Sequence, residues 1–248
     1  MHISEWLADL EARLSLATTK QYLAAIRMLL DWMASQRVLD GNPAQYVKGP
    51  RYSQRRGKTP VIDAADVRSL FDSIGDSKLI DLRDRALIGL MVYTFARIGA
   101  ALAMNVGDVF TQNRRLWVRL LEKGGKLHEM PCHHSLEEWL SAYIDSAKLT
   151  DSEGPLFRAV DRRRAGLTEH RLQHANAFEM VRRRSRAAGL QNVCCHSFRA
   201  TGITAYLVNG GTIERAAAMA NHASIRTTQL YDRRDDALTL DEVERIAF

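Results

Sequence analysis

The chain has 248 residues, 46% of them hydrophobic, enough for a sizeable core in one large domain or two smaller ones. Its net charge of +6 and sequence pI near 9.4 suit a polyanionic partner, or serve solubility alone. No apolar run spans a bilayer, the Met-His-Ile-Ser-Glu-Trp start lacks a signal-peptide pattern, and Cys132, Cys194 and Cys195 are too few and too clustered for a disulfide framework, so the expectation is no membrane role and a reducing cytoplasm.

Residues 3–13 carry Ile3, Trp6, Leu7 and Leu10 on one helical stripe. Thr18 and Gln21 have capping-box spacing for a second helix running to about Gln36, with Tyr22, Ile26, Leu29, Leu30 and Met33 as its apolar face. Asn42-Pro43 and Gly49-Pro50 break the pattern. Two amphipathic helices within about 50 residues barely enclose a core. Their apolar faces are expected to lean on the rest of the chain or to stay partly exposed. Residues 51–60 are basic and turn-rich and read as a linker, either merely solvated or laid along a DNA backbone by Arg51, Arg55, Arg56 and Lys58.

Helices are expected from Asp63 to Ile74 and from Leu79 to Thr94. Arg97 follows a run as apolar as Ala86 to Met91, so it needs an anionic partner, either a carboxylate or a substrate phosphate. Leu116 to Leu121 alternates like a strand, Lys123-Gly-Gly-Lys126 reads as a hairpin turn, and Leu127 to Pro131 returns. Cys132-His133-His134 lacks a second pair of ligands, so no metal site is expected there. Further helices run from Leu136 to Lys148 and from Leu172 to Ala188, separated by Gly154-Pro155-Leu-Phe. Two arginine triplets, Arg162, Arg163, Arg164 and Arg182, Arg183, Arg184, form either solvated faces or a track for a phosphate backbone. Ser197 to Val208 and Thr212 to Ala220 are helical, the second capped by Thr212, and Asp241 to Ile246 is a short terminal helix. The fold class is mostly α with a small antiparallel β-sheet.

The last quarter of the chain concentrates the chemistry. His196 and Arg199 are three apart at the start of a helix, so they share a face with free backbone N–H groups, a site for phosphate. Cys194 and Cys195 are read as packing beside them. His222 follows a short helical run, and Tyr231 comes nine residues later, within a second one.

This ordered set, His-x-x-Arg, then His222, then Tyr231 in a Thr-Thr-Gln-Leu-Tyr context, resembles the active site of the tyrosine recombinases, the phage integrase family. The resemblance covers roughly residues 4–246 and is sharpest after residue 194. It implies a shortened helical DNA-clamp domain at 1–50, a basic linker at 51–60 and the catalytic domain at 61–248. It also implies that Arg97 contacts the scissile phosphate. The family sets that arginine in Thr-Gly-Leu-Arg-x-Ser-Glu; Phe95, Gly99 and Ala100 depart from the pattern, and Ala100 removes the usual acidic support. The family's catalytic lysine, the first of Lys-Gly-x-Lys, carries over to Lys123, with Lys126 as the competing assignment.

The chemistry so implied is cleavage and rejoining of DNA through a 3′-phosphotyrosine. Arg97 and Arg199 would each donate paired hydrogen bonds to non-bridging oxygens. Tyr231 would attack phosphorus, with His196 as base or hydrogen-bond partner, Lys123 as acid for the leaving 5′-oxygen, and His222 donating to a phosphate oxygen. The arginines bring the positive charge a metal would bring, so neither metal, ATP nor another cofactor is called for. The implied partners are double-stranded DNA, further copies in a homo-tetramer on paired DNA sites, with the tail helix docking on a neighbour, and accessory proteins. Two other readings stand beside this one: a type IB topoisomerase-like enzyme, and a DNA-binding relative that has lost catalysis.

Overall fold

The computed structural model describes residues 2–51, 57–122, 124–161 and 166–233. Lys123, Arg55, Arg56, Arg162, Arg163, Arg164 and the terminal helix expected at Asp241 to Ile246 lie outside the described residues. Contacts divide the chain into two units, Met1–Arg55 and Arg56–Phe248.

The first unit is a helical pair, α1 (Ile3–Arg13) and α2 (Leu16–Ser35). α2 begins earlier than the Thr18 spacing suggests. Ser15 is its N-cap, and the Ser15 hydroxyl accepts from the Thr18 N–H at 3.2 Å. After α2 the chain folds back through polar clamps: Asn42 Nδ2 donates to Asp31 at 2.7 Å and to the Arg27 carbonyl at 3.1 Å, and Arg27 Nε donates to the Ala44 carbonyl at 3.2 Å. Leu7, Leu10 and Leu23 are buried, but Tyr22, Met28, Leu29 and Trp32 are exposed. The partial exposure expected of so short a helical pair is therefore present.

The second unit is mostly α with small antiparallel sheets. Its spine is α4 (Leu79–Tyr93), in which Ala86, Leu87, Ile88, Leu90 and Met91 are fully buried. The C-terminal half of α4, Ala86 to Val92, is apolar all round and has to be enclosed on every side. α6 (His134–Ser146) and α8 (Cys195–Val208) pack against it, with α3 (Ala64–Ser73) and α7 (His174–Ala187) alongside one another. A short α5 (Ile98–Ala103), unrecognised in the sequence, joins α4 to the sheet. The sheet has the order β1 (Val109–Gln112), β2 (Arg115–Glu122), β3 (Lys126–Pro131), all antiparallel. The β2–β3 hairpin is the expected one; β1 was not foreseen. A second hairpin, β4 (Arg158–Asp161) with β5 (Gly166–Arg171), occupies the stretch where the sequence offered only a break between helices. α9 (Ile213–Met219), capped by Thr212 as expected, and α10 (Ile225–Gln229) complete the described part. No helix among the described residues is long and apolar enough to cross a membrane.

Charge is also buried at the spine. Asp84 is fully buried and accepts from Arg83 Nε at 3.0 Å and Arg184 Nε at 2.9 Å. Arg183 Nη2 reaches the same carboxylate at 3.2 Å, so part of the second arginine triplet is an internal ion-pair network.

Candidate active site

The site forms where the end of α4, the end of β2, the start of α8 and the segment after α10 converge. α8 begins at Cys195, two residues before the expected Ser197, with Cys194 as N-cap, which places His196 and Arg199 in its first turns. α8 approaches α4 at backbone distance. A Cβ on Gly202 would lie 2.0 Å from the Val92 carbonyl oxygen, so only glycine permits this crossing. Just beyond α4 the backbone of Phe95 enters the left-handed region at φ 55°, and its carbonyl accepts from Arg199 Nη1.

Arg199 is 1% exposed. Its Nη2 donates to the Ala220 carbonyl at 2.6 Å, while Nε finds no hydrogen-bond partner among the described residues. The resemblance implies paired hydrogen bonds from this guanidinium to phosphate; the structure commits one N–H of each terminal nitrogen to the backbone. Burial, and next the neighbouring Arg97, lower the guanidinium to about 10, against the opposing pull of Glu122 and Tyr231. It remains a cation at neutral pH.

Arg97, the N-cap of α5, forms a salt bridge with Glu122 at the end of β2, and about a third of its side chain (35%) stays exposed. The carboxylate alternative for its partner is thus met from 25 residues along the chain. The other Glu122 oxygen lies 3.9 Å from Arg199 Nη1. Glu122 was not singled out in the sequence. The signal was there: Val118, Leu120 and Glu122 occupy the inward phase of β2, so an acid stands where the pattern calls for an apolar residue.

Tyr231 lies two residues past α10, in a turn rather than in the helix expected for it. It is buried among Phe95, Ala200, Ile203 and Leu207. Its hydroxyl sits 2.8 Å from His196 Nε2, and its ring stacks on His222 at 5.9 Å with an 11° interplanar angle. Thr204 Oγ1 donates to the Tyr231 carbonyl at 2.8 Å, and the buried Thr228 hydroxyl sits 2.8 Å from His222 Nδ1. These two threonines position the site and carried no recognisable signal in the sequence.

Both histidines are held neutral at pH 7. Burial, then Arg199 and Arg97, lower His196 below its ordinary value. The same causes, with His196 added, lower His222 to about 4. A neutral His196 protonated on Nδ1 accepts the Tyr231 O–H at Nε2; a neutral His222 accepting from Thr228 at Nδ1 presents an Nε2–H donor. The Cys195 thiol is pushed up to about 11, mainly by burial, and stays protonated.

Beside this cluster is a cleft of about 340 Å³ lined by Arg97, Ile98, His174, Phe178, Cys194 and His196. A second groove, of about 670 Å³, runs along α7 past Arg182 and Arg186 to Asn192. Arg182 also pairs with Glu179 at 2.9 Å. Arg51 and Lys58 are exposed. Lys126 opens β3 as the cross-strand partner of Glu122 and is exposed.

The model of the phage integrase family matches residues 60–237. The tyrosine recombinase XerD of Mycobacterium leprae is 30% identical over 226 residues, covering 89% of this chain and 70% of that protein. The tyrosine recombinase XerC of Escherichia coli O157:H7 is 27% identical over 215 residues, covering 86% of this chain and 68% of that protein. Among solved structures, the XerH site-specific recombinase bound to palindromic difH substrate, in a post-cleavage complex, superposes with a TM-score of 0.76 at 22% identity, covering 98% of this chain and 68% of that one. A lambda integrase dimer bound to a COC′ core site gives a TM-score of 0.69 at 15% identity, covering 96% and 66%. At these identities the superpositions bear on the fold.

Proposed function

Because this chain belongs to the phage integrase family of tyrosine recombinases, we propose that it is a site-specific DNA recombinase that cleaves and rejoins strands through a 3′-phosphotyrosine. The observation that carries the reading is the 2.8 Å approach of the Tyr231 hydroxyl to His196 Nε2, next to a cleft lined by Arg97.

A phosphodiester in the cleft would meet Arg97, which lines it, and feel the positive charge of the buried Arg199 nearby; together the two guanidiniums offset the charge that grows on its oxygens in the transition state. Such preorganised donors are worth about 3–4 kcal/mol each in comparable sites. Tyr231 Oη attacks phosphorus as its proton passes towards His196, and the 5′-oxygen leaves. His222 donates from Nε2 to a non-bridging oxygen. Lys123 supplies the proton to the leaving oxygen, an assignment resting on its place in Lys-Gly-Gly-Lys. The bond to Tyr231 conserves the phosphodiester energy, so a 5′-hydroxyl from another strand reverses the step and completes exchange. Double-stranded DNA is the substrate. The XerH and lambda integrase relatives were solved bound to their DNA sites, which supports that assignment. In this reading residues 1–50 form part of the clamp and 51–60 the linker, the exposed Arg51 and Lys58 and the half-buried Arg182 contact backbone phosphate, and copies assemble as a tetramer on paired sites.

A duplex nicked near the cleavage point should trap a denaturant-resistant protein–DNA adduct with the wild-type chain and none with Tyr231→Phe. Persistence of the adduct in that variant would overturn the assignment. Relaxation of supercoils without joining of partner sites would point to the topoisomerase-like alternative.

A further inference from the structure

Two guanidiniums side by side repel one another, and one of them, Arg199, is 1% exposed. Something has to hold them together before a phosphate arrives. Local sequence does not supply it: Ala100, one turn into α5 from Arg97, is the position where the recombinase pattern carries an acid. The side chain that meets both arginines is Glu122. Its side chain is 3% exposed, one carboxylate oxygen pairs with Arg97, and the other lies 3.9 Å from Arg199 Nη1.

We infer that Glu122 is the positioning residue of this site, holding Arg97 and Arg199 at one spacing in place of the acid missing at position 100. The inference rests on the recombinase reading. Three features favour it over simple packing. Its oxygens are divided between the two arginines rather than both spent on one. It occupies an inward position of β2 where an apolar side chain would pack without desolvation cost. It also directly precedes Lys123 in the sequence, so the segment that orders the arginines would supply the acid for the leaving oxygen as well. Glu122 touches no substrate atom; it acts through the guanidiniums.

The test compares single-turnover adduct formation on the nicked duplex, DNA affinity and thermal midpoint for the wild-type chain, Glu122→Gln and Glu122→Gln/Ala100→Glu. Glu122→Gln should slow adduct formation at saturating DNA by about 10–100-fold, the range for groups that orient a first-contact residue. Its DNA affinity should change by less than about threefold, because duplex affinity comes mostly from backbone contacts elsewhere. Returning the acid at position 100 should recover most of the rate, which a general packing role could not produce. Should Glu122→Gln fail to fold, Glu122→Asp, which keeps the charge but draws it back, carries the same comparison. Wild-type cleavage by Glu122→Gln, or a loss confined to affinity and thermal midpoint, would overturn the inference. Absence of any adduct with the wild-type chain would instead overturn the recombinase reading itself.

Discussion

The backbone N–H of Gly57 donates a 2.8 Å hydrogen bond to the carbonyl of Leu230, the residue before Tyr231. The Gly57 carbonyl accepts in turn from Arg233 Nη2 at 2.6 Å, so the tyrosine is bracketed from both sides by one glycine preceding α3. A Cβ on Gly57 would lie 2.8 Å from the Leu230 oxygen, which forces one of the two segments to move. A misplacement of about 1 Å at reacting groups costs up to about 100-fold in rate. Gly57→Ala should therefore slow adduct formation at saturating DNA by roughly tenfold or more, with little change in affinity. An unaltered rate would show that the bracket does not seat the tyrosine.

The buried Asp84 neutralises Arg83, itself 2% exposed, together with Arg184. Removing one partner of such a cluster leaves charge uncompensated in the interior, a loss of about 3–5 kcal/mol. Asp84→Ala should lose that much in denaturant titration. Arg183→Ala should lose less than about 1 kcal/mol, because 62% of that side chain already faces water. Equal losses for the two would mean that the network is not organised around Asp84.

His222 has its pKa lowered from 6.5 to about 4 in the folded state. Between those values the unfolded chain binds a proton that the folded chain does not, so stability rises with pH across the window. As pH falls from 6.5 towards 4, this contribution is lost. His222→Gln should flatten the dependence of the thermal midpoint in that range relative to wild type. An unchanged slope would assign the acid sensitivity to another group.

The element types of most of the second unit are readable locally. α3, α6 and α7 show apolar spacing at the helical period, α4 shows as a long apolar run, Thr212 caps α9, and the Lys-Gly-Gly-Lys turn marks the β2–β3 hairpin. α5 has only 6 residues and β1 and β4 only 4 each, too few for any period to register. Where the sequence offered Thr18 as a cap, Ser15 took the role, because the helix extends to wherever a side-chain oxygen first meets a free N–H.

The sequence by itself determined the order of the chemical groups: Arg97, Lys123, His196, Arg199, His222, Tyr231. Spacing along one helix puts His196 and Arg199 on a shared face, and that depends on residues three apart. What only the tertiary structure decided is who partners whom. Arg97 finds its carboxylate in Glu122, 25 residues away, Arg199 spends two N–H groups on the carbonyls of Phe95 and Ala220, and Tyr231 meets His196 across 35 residues. Those pairings follow from which buried faces meet, above all from α8 lying against α4 at Gly202, and no local period encodes a contact between segments so far apart in the chain.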